Sequence, residues 1–435
     1  MEDAEPEDAE PEDAEDAILE GDTPYKPGSA RAALAHRDFR IVWSGSMASN
    51  IGTWMQNVAL GVFAYRLTGS AQYVALLGFA QLGPLLVLSP VGGVLADLVD
   101  RRRLLVAAQF WQMSFSFLLA LVARGDDPSE AWVFFVVLLV GIGNALNAPA
   151  FAAVLPALVG RRDLAGAVSL QSLQMNVSRV VGPAIGGLLL PVIGAPGVFA
   201  VNGATYLFAI ATLLVVHPPP AAAAPDHAPK GWRRLMGGFA IARRDRLVRR
   251  CLLTIAAISF FCLPFIGLMP VLAGDNLGID PESAAYGWLY ACFGLGAAAG
   301  AMSVGTVLVG WSKPRLVRLG LVFFSAMLLA FSLLRTAWPA YPVGFLVGLG
   351  YFTTVTSLST HLQTHLDDAV RGRVMALWIM GFGGTVPIGL LVGGVVASAT
   401  SVTTVGVIGA ASALLLAGVT NLQPRAAAGT APTLR

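Results

Sequence analysis

Charge is scarce in this chain. Asp, Glu, Lys and Arg make up 12% of its 435 residues, about half the share a soluble globular domain carries. With 56% of residues hydrophobic, that composition excludes an ordinary soluble domain and points to a membrane protein. Cysteine is scarce too. Cys251, Cys262 and Cys292 each sit in an apolar run, with no spacing that fits a disulfide framework or a thiolate metal site. A nucleophile elbow, a zinc-protease HExxH and a phosphate-binding loop are all missing, so neither a hydrolase nor an ATP-driven pump has its parts. Acids are absent from the middle of every apolar run. A proton-coupled carrier needs a titratable group in its pathway, and only Asp97, Asp38, His361 and His365, near run ends, are on offer.

What is there begins with an acidic tract. Residues 2–16 repeat EDAEP, EDAEP and EDAED after the initial Met, and twelve of the 26 acids lie before Thr23. Such a tract repels itself and buries nothing, so residues 1–37 are expected to form a disordered tail. Its acidic start also does not fit a signal peptide. Beyond it, fourteen acids face all 28 basic residues.

Apolar runs of about 20 residues suffice to cross a bilayer. Twelve are expected: Ile41–Tyr65, Tyr73–Asp97, Leu104–Val122, Ala131–Leu155, Val168–Ile193, Val198–Val216, Cys251–Ala273, Ala284–Val309, Leu316–Leu334, Tyr341–His361, Val374–Ser398 and Val402–Val419. With the N-terminus inside, 24 of the 28 basic residues fall in inner connections and three (Arg66, Arg124, Arg335) in outer ones. The remaining one, Arg179, lies inside span five. This alternation predicts an N-in, C-in, multi-pass protein of the cell inner membrane.

Residues 217–250 divide the spans six and six. They open as a Pro/Ala linker and continue as the basic amphipathic stretch WRRLMGGFAIARRDRLVRR, expected on the inner membrane surface. The halves, 38–216 and 251–420, show faint kinship. A shift of 212 aligns Gly93 with Gly305, Arg101 with Lys313 and Arg103 with Arg315. Residues 421–435 form a second inner tail. Two six-span halves repeated about an axis along the membrane normal are a transporter architecture.

These residues resemble the major facilitator superfamily. Gly93-x3-Asp97-x3-Arg101-Arg102-Arg103 looks like its signature between spans two and three, with Asp100 where glycine is usual. Ser169, Ser178, Gly182, Pro183, Gly186 and Gly187 keep the spacing of its span-five exporter motif, serine replacing the first two glycines. PAFAAVLPALVGRRDLAGAVSLQSLQMNVSRVVGPAIGG and DDAVRGRVMAL are similar to the branch of enterobactin exporters and macrolide efflux proteins. The resemblance implies an all-α fold of twelve helices in two pseudo-symmetric six-helix bundles. It also implies that Asp97 and Arg101 latch a gate; the plainer reading is topology-setting charge.

Three features remain open to two readings each. Ser178, Gly182 and Gly186 recur every four residues, a face for close helix approach that serves either as a hinge with Pro183 or as ordinary packing. Arg179 costs about 2.5–3.5 kcal/mol at mid-span, so it must face the bundle interior. It is either a counter-charge for an anionic substrate or an internal tie to a polar side chain or to Asp97. His361 and His365, in HLQTH, are one turn apart, yet Gln363 stands where a metalloenzyme has glutamate; the alternatives are a metal-dependent enzyme and a polar helix end. Ser46, Asn50, Thr53 and Asn57 share one face of span one. With Gln81, Asn144, Gln171, Phe261, Phe265 and Tyr351 they are candidate cavity walls, or packing residues.

The expectation is therefore a non-enzymatic secondary transporter exporting a small amphipathic, drug-like or siderophore-like molecule, with uptake of a nutrient as the alternative. The expected partners are that substrate, a coupling proton and membrane lipids, with no cofactor, no metal, no nucleic acid and a monomeric carrier. Tags at either terminus should be labelled by impermeant reagents only after cells are permeabilised; labelling of either in intact cells would refute the topology.

Overall fold

The computed structural model describes residues 25–216, 232–420 and 422, except for the side chains of 89–98, 148–149, 152–153, 161, 232–237 and 368–369. The acidic tract, most of the linker and most of the final tail, with the side chains of Gly93 and Asp97, lie outside the described residues. Everything regular among those described is helical. The first half comprises a short helix Ala30–Ala35, then Arg37–Thr68, Ala71–Leu98, Arg101–Val122 and a continuous segment Glu130–Val215. The second comprises Trp232–Arg244, Arg246–Cys262, Pro264–Gly267, Met269–Asp275, Ala284–Gly305, Lys313–Leu333, Ala337–His365, Asp368–Ile379, Thr385–Ala399 and Val402–Val419.

Local chemistry sets the boundaries. Gly69 closes span one in the left-handed conformation, and Asp100 caps span three by accepting the Arg103 amide. The segment Glu130–Val215 is helical except at Gly160 and Gly194, with φ of 70° and 65°. Glycine adopts such values without a Cβ penalty, so two glycines turn one run into spans four, five and six. Span seven is interrupted between Cys262 and Met269, where Pro264 and Pro270 start successive short helices. Span eleven contains a π-helical turn, Met380–Gly384.

Ten of the described segments are apolar and long enough to cross a membrane. Spans five and six lie within one of them, Arg162–Val215. Span one is long, Arg37–Thr68, but falls outside the ten because seven Ser, Thr, Asn and Gln residues between Ser44 and Asn57 dilute it. The expectation of twelve spans is thus met in part, and the chain is a multi-pass membrane protein.

Span one's polar side chains bond its neighbours within the first half. Gln56, 2% exposed, accepts from Asn202 (2.7 Å); Thr53 meets the Tyr206 hydroxyl (3.1 Å); Asn57 accepts from Gln81 (2.6 Å); Ser46 accepts from Gln174 (2.9 Å). Bonds of this kind glue membrane helices where apolar surface gives no drive to associate. Each half also closes its helix ring with an arginine. Arg102, at the start of span three, donates to the carbonyls of Leu213 and Leu214 at the end of span six (2.8 and 2.7 Å). Arg318, in span nine, donates to Ala417 at the end of span twelve (3.0 Å). Both satisfy carbonyls that a helix end leaves orphaned.

The halves meet along two seams, span five on span eight and span two on span eleven. A side chain at Gly187 would strike the backbone of Gly287, one at Gly294 the Arg179 carbonyl, one at Gly78 or Gly384 the Leu390 or Leu86 side chain, and one at Gly394 Ala75. At the end assigned to the outside, hereafter the outer end, polar bonds join the halves. Arg66 reaches Glu282 (2.8 Å), Tyr65 reaches Asp275 (2.5 Å), and the Gln72 amide reaches the Ser398 hydroxyl (3.1 Å). One apolar core runs from both halves through this end, whereas the inner end of the first half, around Phe39, Leu105, Phe151 and Leu158, packs as a separate cluster. The basic helix Trp232–Arg244 rests at Gly238 against the Arg373 carbonyl, so it is seated on the base of span eleven.

Gly187→Leu should cost about 1–3 kcal/mol by overpacking and open the outer seam. The expected readout is a lower thermal midpoint together with faster alkylation of a Ser398→Cys reporter; unchanged values for both would contradict the close approach.

Candidate transport site

Span five presents two faces to two different neighbours. Ser178, Gly182 and Gly186 pack on span one, against Met47, Trp54 and Met55. This face belongs inside the first half. Gly187, one residue round the helix, faces span eight of the second half, and Pro183 is buried between them. Ser169, more than two turns into span five from Gly160, is exposed. The small-residue motif therefore serves one internal contact and one contact between halves.

Arg179 follows Ser178 and projects between the halves. Its guanidinium carbon lies 5.1 Å from the centre of the Trp54 ring on span one and 4.7 Å from the centre of the Phe352 ring on span ten. Such stacking on aromatic faces stabilises a cation by about 0.5–2 kcal/mol. Among the described residues no carboxylate and no hydrogen-bond acceptor pairs with it. The side chains expected to tie it are engaged elsewhere: Gln56 with Asn202, Asn57 with Gln81, Asn147 with Gln109, and Gln174 with Ser46. Asn50, Asn144 and Gln171 are partly exposed and are not bonded to it.

Beside the clamp, Tyr351 packs edge-on to Phe352 (5.1 Å) and to Phe324 (5.4 Å). It is 1% exposed, and its hydroxyl has no hydrogen-bond partner; Ser259 nearby in the second half is likewise unsatisfied. Tyr351 and Tyr290 both lie within electrostatic reach of Arg179. Unmet polar groups are costly at membrane depth, so this cluster of a cation and a free hydroxyl is a place with hydrogen bonds to give.

The other expected wall residues divide. Thr53, Asn57 and Gln81 are structural glue, Phe265 sits in the core of the second half against Phe293 and Phe331, and Phe261 is exposed. Trp54 was not legible from the sequence: it adjoins the polar face of span one, and only the rotation of spans one and five brings its ring to Arg179. Of the gate motif, Arg102 is the helix cap described above, and Asp100 is the span-three cap that its place in the motif takes from glycine.

His361 and His365 do not converge. His361 meets the Leu422 carbonyl (3.1 Å), and His365 meets Asp245 (2.9 Å). The His365–Asp245 bond has a counterpart in the first half, where His36 meets Asp163 (2.9 Å). Each ties the start of a half's first span to the connection after its fourth, with acid and base exchanged. Neither pairing was apparent from the sequence, since 120 or more residues separate the partners.

A helical membrane protein of two halves, with small-residue seams and a midspan cation between them, is a transporter of the major facilitator class. Solved structures agree on the fold. A bacterial homologue of the human lysosomal transporter Spinster, inward-facing and occupied, aligns over 92% of this chain and 96% of its own at a TM-score of 0.69 and 15% identity. A bacterial homologue of the iron transporter ferroportin, inward-facing, aligns over 88% and 98% at 0.68 and 14%. The chain belongs to the transmembrane secretion effector family, whose profile matches residues 28–432. It is 31% identical over 349 residues to the enterobactin exporters EntS of Shigella boydii serotype 18 and Escherichia coli O139:H28, covering 79% of this chain and 81% of each relative. It is a transporter, not an enzyme.

The His365–Asp245 bond generates a pH dependence. Partial burial raises the Asp245 carboxyl, but hydrogen bonds from His365 and from the Val248 and Leu247 amides, with the charge of His365, outweigh it and hold it below its ordinary range. A carboxyl lowered on folding stabilises the fold above its unfolded range and loses that contribution as pH falls through the folded value. Wild type should therefore be more thermostable than Asp245→Asn at neutral pH and converge on it in acid; a gap independent of pH would contradict this.

Proposed function

We propose that the chain is a proton-coupled antiporter of the cell inner membrane that exports a small amphipathic molecule by alternating access. The observation that carries the reading is the asymmetry of the contact between halves. A single core and the polar bonds Arg66–Glu282 and Tyr65–Asp275 seal the outer end, while the inner end of the first half packs on its own. A carrier resting in that state can take its substrate from the cytosol. The basic inner connections support the orientation, and the enterobactin exporters among the relatives support a siderophore-like or drug-like cargo.

The seams supply the moving parts. Rocking about spans two, five, eight and eleven needs helices that slide without catching, and glycine contacts provide that. The π-helical turn Met380–Gly384 gives span eleven a place to bend. Asp97 and Arg101 close the inner side when the outer seam opens, and an acid at the inner span ends, Asp97 or Asp38, carries the coupling proton. Residues 38–216 and 251–420 act as the two rigid bodies, and the chain works as a monomer among lipids.

In an efflux-deficient host, expression should lower the accumulation of an exported compound. Collapse of the proton gradient, or Asp97→Asn, should abolish that effect. Raised accumulation on expression would overturn the direction, and efflux that persists without a proton gradient would overturn the coupling.

A further inference from the structure

Among the described residues, Arg179, which is partly exposed, is held by rings and by no hydrogen-bond acceptor. A guanidinium has five N–H donors in its plane, directed outward from its edge. The Trp54 and Phe352 rings meet the cation through their π faces and supply no acceptor for those N–H groups. Placing such a group at mid-span costs about 2.5–3.5 kcal/mol, and stacking recovers part of it. The remainder calls for an anion.

Its surroundings define which anion. The Arg179 carbon lies 5.1 Å from the Trp54 ring centre and 4.7 Å from that of Phe352, and Phe352 lies 5.1 Å from Tyr351. The buried Tyr351 hydroxyl, which has only the Ser259 hydroxyl beside it and no hydrogen bond of normal geometry, is a further donor for an anionic oxygen. An edge with paired N–H groups matches two adjacent oxygens in one plane, and the flanking rings match a flat apolar body.

We propose that Arg179, Trp54, Phe352 and Tyr351 form a subsite for an aromatic carboxylate, or the aromatic-acid part of a larger cargo. This rests on the exporter reading above and adds to it the charge and shape of the substrate. Trp54 belongs to one half and Phe352 to the other, so an anion at Arg179 occupies the point about which the halves move. An ion pair there competes with the Phe352 stack, and bound cargo thereby loosens a contact between halves.

The test is calorimetric titration of the full chain in zwitterionic-lipid nanodiscs with three probes of one shape: 1-naphthoate, 1-naphthalenemethanol and 1-naphthylmethylammonium. Wild type should prefer the carboxylate over both others by about tenfold or more, the scale of one charge-assisted hydrogen bond. Arg179→Gln should abolish that preference by lowering the carboxylate's affinity far more than the alcohol's, and Arg179→Lys should keep part of it. Tyr351→Phe should weaken the carboxylate alone. Monodisperse elution and an unchanged thermal midpoint for Arg179→Gln confirm that the variant folds; should it not, Arg179→Lys and Tyr351→Phe carry the test. No preference in wild type, or full preference in Arg179→Gln, would show a purely structural cation and overturn the proposal. Vesicle transport separates the two readings. Export of 1-naphthoate at wild-type rate by Arg179→Gln would sink this subsite and leave the exporter standing. Selective binding of naphthoate without transport of any compound would do the reverse.

Discussion

Helix backbones approach each other along two seams only because glycine lies there, and the rest of the molecule is arranged around that approach. Lipid tails are as apolar as leucine side chains, so membrane helices gain little by hiding apolar surface from them. What holds the halves together must be close packing and a few polar bonds. Gly187 on Gly287 and Gly294 on the Arg179 backbone set the depth at which span eight meets span five. That depth places the Arg179 side chain between Trp54 and Phe352. The seam and the cation are thus one feature seen from two sides.

Polarity inside the first half follows a different rule. The side chains of span one look like a substrate-facing stripe when read along the helix. Most of them bind neighbouring helices instead, as in Gln56–Asn202 and Asn57–Gln81. Satisfying polar groups in pairs makes the half a rigid body, which a rocking mechanism requires. Pairing is incomplete at several buried groups, Gln109, Ser116 and Gln174 of the first half among them. What sets Arg179 and Tyr351 apart is that a cation and an unsatisfied hydroxyl lie within electrostatic reach of each other between the halves.

The two halves repeat some devices and exchange others. Arg102 and Arg318 both tie the third helix of a half to the end of its sixth, one turn apart in register. The His–Asp ties keep their position but swap acid for base. Such equivalence is invisible to residue-by-residue alignment, because what is kept is a bond between positions and not the identity at either one.

Much of the fold was legible in the sequence. Apolar length is a one-dimensional property, and it maps onto most of the expected spans. Together with the motifs it determined the class and the family resemblance. The candidate site was legible only in part. Arg179 stood out by its cost, and Tyr351 by its kind, but Trp54 and the absence of any described acceptor depended on how helices rotate about their axes. Only the tertiary structure decided that Gly187 faces the other half while Gly186 faces span one, that the polar stripe is glue, and that His365 belongs to Asp245. Contacts across more than a hundred residues are fixed by helix rotation and register, which no stretch of sequence carries by itself.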